Sequence, residues 1–133
     1  MTKAMIAAMA MAGFTAANLK AQRMEKMFDA RVDVFLDEVD ARPEQRARVK
    51  EVTAQLKTDF APLAKQGKAT REELAEQFKA PVVDRVKVYG LIDAQLESVK
   101  GFAHKLADGL ISVHDTLTPE QREKAAELRA QRE

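Results

Sequence analysis

Three observations predict an all-α protein. The 133 residues include only five glycines and four prolines, no tryptophan and one tyrosine. Ala, Leu, Glu, Lys, Arg and Gln dominate, the residues that lose least on entering a helix. Apolar side chains recur at steps of three and four over most of the chain, and the prolines stand near the ends of those runs. The expected architecture is four to five helices in an elongated antiparallel helical hairpin with one long central helix. Residues 22–133 form a single domain behind a distinct segment, 1–21.

That first segment is set apart by composition. All six methionines fall within the first 27 residues, and the run from Ala4 to Leu19 carries no charge between Lys3 and Lys20. Sixteen uncharged residues fall short of the roughly 20 needed to span a bilayer. A basic start, an apolar stretch and the small residues Thr15, Ala16 and Ala17 suit a secretory signal, with cleavage after Ala17 or Ala21. The alternatives are an Ala/Met-rich helix packed on the body, or a membrane anchor.

From Gln22 to Asp40, Met24, Met27, Phe28, Val32, Phe35 and Val39 line one helical face. The helix is predicted to stop near Arg42, because a residue before proline is pushed out of the α region. Pro43 suits the first turn of a second helix, whose buried stripe is Val49, Val52, Leu56, Phe60 and Leu63. Pro62 lies near its expected end, and Lys65 to Lys68, around Gly67, reads as a stop. Thr70 to Glu73 has the form of a capping box, predicting a short third helix from about Arg71 to Lys79 with Leu74 and Phe78 as its apolar pair. Pro81 either separates this helix from the next or kinks one continuous helix.

The longest predicted element runs over 82–117. Val82, Val86, Tyr89, Ile92, Leu96, Val99, Ala103, Leu106, Leu110, Val113 and Leu117 keep steps of three and four throughout, close to a heptad seam. At ~1.5 Å per residue such a rod is roughly 50 Å long, too long for one small subunit to cover its apolar edge comfortably. Gly90, Gly101 and Gly109 within it imply a close crossing or a bend. Thr118 as N-cap, Pro119 at the first helical position and Gln121 at the third open a last helix.

Composition also limits function. Lys and Arg number 22 against 21 Asp and Glu, a net charge of +1 with the signs interleaved, which gives no basic field for nucleic acid. Without cysteine there is no disulfide, thiol nucleophile or Cys-ligated metal. His104 and His114 lie ten residues apart on the long helix. That is ~15 Å along the axis, too far to share one ion within a chain. His104, Asp108 and His114 are the only weak metal candidates, and no metal or other cofactor is expected. No serine triad and no glycine-rich phosphate loop is present, so no residue is assigned a catalytic role. Glu25, Asp29, Asp33 and Asp37 form an acidic ladder whose like charges cost a few tenths of a kcal/mol per pair. Arg42, Arg46 and Lys50 repeat at the same step, and ion pairing between the two helices is the expected offset.

Pro-Glu-Gln-Arg occurs twice, at Pro43 to Arg46 and Pro119 to Arg122, each time opening a helix. The second copy reads Leu117-Thr118-Pro119-Glu120-Gln121. In this the sequence resembles the Spy/CpxP family of periplasmic helical proteins, whose signature is a pair of Leu-Thr-x-x-Gln motifs at two helix starts. The resemblance covers about Met24 to Arg132. Leu117, Thr118 and Gln121 match the signature. In the first copy Ala41 and Arg42 replace Leu and Thr, leaving Gln45 behind Pro43. The resemblance implies a homodimeric periplasmic chaperone that holds unfolded or partly folded proteins without ATP and suppresses their aggregation in envelope stress. Relatives include periplasmic metal sensors, so a metal-responsive sensor or buffer is the alternative, with a regulator docking on a membrane sensor kinase as another. Pro43, Gln45, Leu117, Thr118 and Gln121 are expected to be structural. Client contacts are expected from a set outside the seam, Val83, Val88, Leu91, Phe102 and Ile111, flanked by Arg85, Lys87, Lys100 and Lys105. Neither nucleic acid nor stable membrane insertion after signal removal is expected.

Overall fold

The computed structural model describes residues 3–132, with side chains from residue 19 onward. It contains four helices: α1 (Lys3–Glu38), α2 (Pro43–Lys79), α3 (Arg85–Thr116) and α4 (Pro119–Arg132). No strand occurs among the described residues. The predicted all-α class holds, and no helix among the described residues is long and apolar enough to cross a membrane. Two compact units divide the chain. One comprises residues 1–41 with 123–133, the other residues 42–122.

In the first unit α1 runs without interruption through the junction expected near residue 21. The side chains of the signal-like run up to residue 18 lie outside the described residues. The helix ends in a Schellman turn. Asp40 adopts φ 55° and its N–H donates to the Asp37 carbonyl at 3.1 Å, while the Ala41 N–H donates to the Leu36 carbonyl at 2.9 Å. Leu36, Val39 and Ala41 are buried beside this turn. Arg132, in the last turn of α4, lies 3.6 Å from Glu38.

The second unit is an antiparallel hairpin of α2 and α3, and it corrects two expectations. The stop at Lys65 to Lys68 does not occur: α2 continues through Pro62 and Gly67 to Lys79, so the short helix over 71–79 is its last part. Gly67 keeps a negative φ, and the Thr70 hydroxyl donates to Gln95 Oε1 on α3 at 3.3 Å instead of capping a new helix. One glycine costs a helix roughly 1 kcal/mol, less than ending one helix and nucleating another. The element over 82–117 is also not the longest, contrary to expectation, since α1 and α2 both exceed α3 in length.

The rod predicted over 82–117 is present as the unbroken α3, and Pro81 separates it from α2. Asp84 sets its start by accepting the Lys87 N–H at 3.1 Å. The helices meet along a regular series of contacts. Phe60 and Phe102 pack edge to face with centroids 5.4 Å apart, Lys105 lies 3.7 Å from Asp59, and Lys87 lies 3.5 Å from Glu73. At Gly109 the side chains of α2 pack so closely that a β-carbon would stand 3.1 Å from Leu56 Cδ1 and 3.2 Å from Val52 Cγ1. Of the two expected explanations for the glycines, Gly109 marks a close crossing. Gly90 and Gly101 face open space.

Candidate functional site

Two features of the hairpin unit stand out: a polar junction built from the repeated motif, and an apolar stripe along α3. The junction is a product of helix-start chemistry. The first N–H groups of a helix lack partners within it, and a glutamine at the third helical position can reach back to one of them. Gln121 Oε1 accepts the Thr118 N–H at 2.8 Å, and the Thr118 hydroxyl accepts the Gln121 N–H at 3.2 Å, completing a capping box. Gln45 Oε1 likewise accepts the Arg42 N–H at 2.9 Å. Arg42 offers no side-chain acceptor, so the first box is half made, and its guanidinium pairs with Glu44 at 3.1 Å.

The two glutamines then bond to each other. Gln45 Nε2 donates to Gln121 Oε1 at 2.8 Å, and Gln121 Nε2 donates to Gln45 Oε1 at 2.9 Å. Gln45 Nε2 also donates to the Thr116 carbonyl at 3.0 Å, satisfying a terminal acceptor of α3. Gln45 is only 2% exposed, so these bonds replace water outright. Arg122 adds a third link: its Nη1 donates to the Leu117 carbonyl at 3.1 Å and the His114 carbonyl at 3.3 Å, placing a cation at the negative end of α3. Leu117, Val49 and Val52 are buried in the same unit. Gln45, Thr118 and Gln121 thus bond across the junction, with Leu117 buried in the same unit. Neither the mutual bonding of the glutamines nor the role of Arg122 was anticipated, although the repeated Pro-Glu-Gln-Arg was the available signal.

Three of the client-contact candidates on α3 are partly covered. Val88, Leu91 and Phe102, placed among the client-contact candidates, are half-buried together with Gln95, Ser98 and Gly109. Along the heptad seam Tyr89, Ile92, Leu96, Val99, Leu106 and Leu110 are exposed, Val113 is half-buried and Leu117 is buried. Of the remaining candidates, Val83, Ile111, Arg85, Lys87, Lys100 and Lys105 are exposed, with Lys87 and Lys105 in the cross-hairpin ion pairs. A groove beside the seam is lined by Gly67, Thr70, Arg71, Leu74, Ile92, Gln95 and Leu96. A second groove, around Asp59, Lys105 and Asp108, is more polar in its lining residues.

The weak metal candidates do not converge. His104 and Asp108 are exposed, and His114 Nδ1 lies 2.9 Å from Asp115 Oδ1. Among the described residues no three His, Cys, Asp or Glu side chains form a group able to hold a metal ion.

These features define a class: an all-α protein with a long hairpin whose base is closed by two helix starts of one design, joined through their glutamines. The model of the LTXXQ motif family matches residues 30–129, well over half of the chain, and the chain belongs to that family, the Spy/CpxP type. No curated protein and no solved structure matches the chain.

Proposed function

We propose that this protein is an ATP-independent periplasmic chaperone-like protein that binds unfolding proteins and suppresses their aggregation, working as a homodimer. The observation that carries the reading is the exposed seam of α3. From Tyr89 to Leu110 it presents six large apolar side chains in register over roughly 30 Å of helix. Apolar surface of this extent is unusual on a protein that acts alone, because covering it releases the free energy of the hydrophobic effect. The apolar segments of an unfolding chain supply a complementary surface, and a second copy can cover part of the same stripe. Charged side chains beside it, among them Arg85 and Lys100, give the mixed apolar and ionic rim suited to weak, reversible holding. Membership of the Spy/CpxP type supports the same role, and the uncharged stretch from Ala4 to Leu19 supports export.

The direct test is light scattering from a chemically denatured model substrate diluted into buffer with a few-fold excess of the purified protein. The expected result is slower and smaller aggregation without nucleotide; unchanged aggregation would overturn the proposal. Cell fractionation with N-terminal sequencing of the mature product tests export. An uncleaved cytoplasmic product would remove the periplasmic part of the reading.

A further inference from the structure

Three connections join the four described helices, and they are not equally open to chemical attack. At residues 39–42 Val39 and Ala41 are buried, and the N–H groups of Val39, Asp40 and Ala41 are all bonded. At residues 117–118 Leu117 is buried, and its N–H, like that of Thr118, is bonded. Residues 80–84 differ. Val82 is 82% exposed and Val83 49%, and neither makes a backbone hydrogen bond. The bonds of this connection sit at its two ends, where the Ala80 N–H donates to the Gln77 carbonyl at 3.2 Å and the Asp84 N–H to Gln77 Oε1 at 2.9 Å.

An endopeptidase holds its substrate as an extended strand, so the bond it cuts needs non-helical backbone on both sides. Residues 80–84 supply it: Ala80 (φ −67°, ψ 147°) and Asp84 (φ −81°, ψ 99°) are already extended. Pro81 fixes its own φ near −65° and has no N–H. That costs little, because in an antiparallel strand pair only alternate residues bond to the partner, and the free N–H of Val82 falls in the bonding register. Which pocket fits is set by which side chains are open. Lys79 and Arg85, which a pocket with a buried carboxylate would select, lie in α2 and α3, and Phe78, suited to a deep apolar slot, lies in α2. Outside the helices the run is Ala-Pro-Val-Val-Asp, so the accessible choice is a small branched aliphatic side chain, preceded by proline.

We propose that the Val82–Val83 peptide bond is a site of limited proteolysis by a serine endopeptidase whose specificity pocket takes a small branched aliphatic side chain. The net step is hydrolysis: the C–N bond breaks, the water oxygen joins the Val82 carbonyl carbon, and protons go to the Val83 nitrogen. The halves stay together, because Gln45, Val49, Val52 and Leu117 are buried at the far end of the hairpin. The tip is weakened. The new Val82 carboxylate follows the C-terminus of α2 and the new Val83 ammonium precedes the N-terminus of α3, each of the same sign as the helix end beside it. Cutting thus loosens the hairpin from one end without releasing either arm. This goes beyond the holding of unfolding proteins and does not depend on it.

The test is brief digestion of the folded full chain with pancreatic elastase, followed by mass spectrometry, N-terminal sequencing and gel filtration. Within residues 19–132 the first cut is expected to give a product that begins at Val83 and co-elutes with its other half. Val82→Glu, a change at a surface position, should slow this cut at least about tenfold, because a carboxylate would stand unpaired in an apolar pocket. Gln45→Ala lowers stability without touching the connection and should leave the rate unchanged, since a bond reached in the native state does not wait for unfolding. No cut, a first cut at any other bond in that range, equal cutting of Val82→Glu, separation of the halves, or faster cutting of Gln45→Ala would each overturn the proposal.

Discussion

Gln45 and Gln121, 76 residues apart in sequence, exchange hydrogen bonds through both side-chain amides while each also accepts the N–H of its own helix's N-cap residue. Four polar groups are satisfied by two side chains, so each glutamine supports the other's capping bond. Replacing Gln45 with alanine leaves the Arg42 N–H, the Thr116 carbonyl and half of the Gln121 amide without these partners. The expected cost is about 1–3 kcal/mol, with a smaller loss for Gln121→Ala, which is less buried. The double variant should cost less than the sum of the two, because the second substitution removes a group already deprived of its partner. Urea denaturation of the four proteins of this cycle measures the coupling. Strict additivity would show that the amides act independently.

The two helix starts differ in one acceptor, which makes them a matched comparison. Thr118→Ala should destabilise by about 1 kcal/mol through loss of the bond to the Gln121 N–H. At the other start, Arg42 already has an extended backbone, φ −76° and ψ 161°. Arg42→Thr should therefore supply the missing acceptor and stabilise by several tenths of a kcal/mol. Loss of the exposed pair with Glu44 offsets only part of that gain. Thermal unfolding followed by circular dichroism checks both signs.

Glycines in α3 should respond in opposite directions. Gly109→Ala places a methyl group 3.1–3.2 Å from the Leu56 and Val52 side chains, which must give by a few tenths of an ångström, and this crowding should outweigh the gain in helix propensity and cost about 1 kcal/mol. Gly90→Ala and Gly101→Ala meet nothing within 4 Å and should each stabilise by up to about 1 kcal/mol. The same denaturation experiment applied to all three variants tests where the helices come closest.

Leu96→Ser with Leu110→Ser removes two exposed side chains from the seam. Stability should change by less than about 1 kcal/mol, since surface substitutions rarely do more. Suppression of substrate aggregation should fall markedly. A variant that holds denatured substrate as well as the parent would locate client contacts elsewhere.

Helix type was readable from composition, and the rod over 82–117 is found as Arg85–Thr116 because its periodicity is long and consistent. Which of its stripes would pack on α2 was not readable. The face used mixes Val88, Leu91 and Phe102 with Gln95, Ser98 and Gly109, and the missing β-carbon at Gly109 leaves room for Leu56 and Val52, which a count of apolar residues does not register. The stop at Gly67 failed for a related reason: Thr70 and Gln95 meet only once the hairpin has closed, and that tertiary bond is invisible to a local capping pattern. The repeated motif assigns its glutamines to helix starts. Their mutual bonding required knowing that residues 45 and 121 come together.

The buried residues of the hairpin unit, Gln45, Val49, Val52 and Leu117, all belong to its base, while the opposite end is held by water-exposed bonds around Asp84 and Lys87. Resistance to solvent should therefore be graded along α3, with backbone amides near Val88 exchanging deuterium well before those near Val113. The helix pair would come undone as a zip does, from one end only, and a partner bound near the loose end would act on breathing motions that the anchored end does not share.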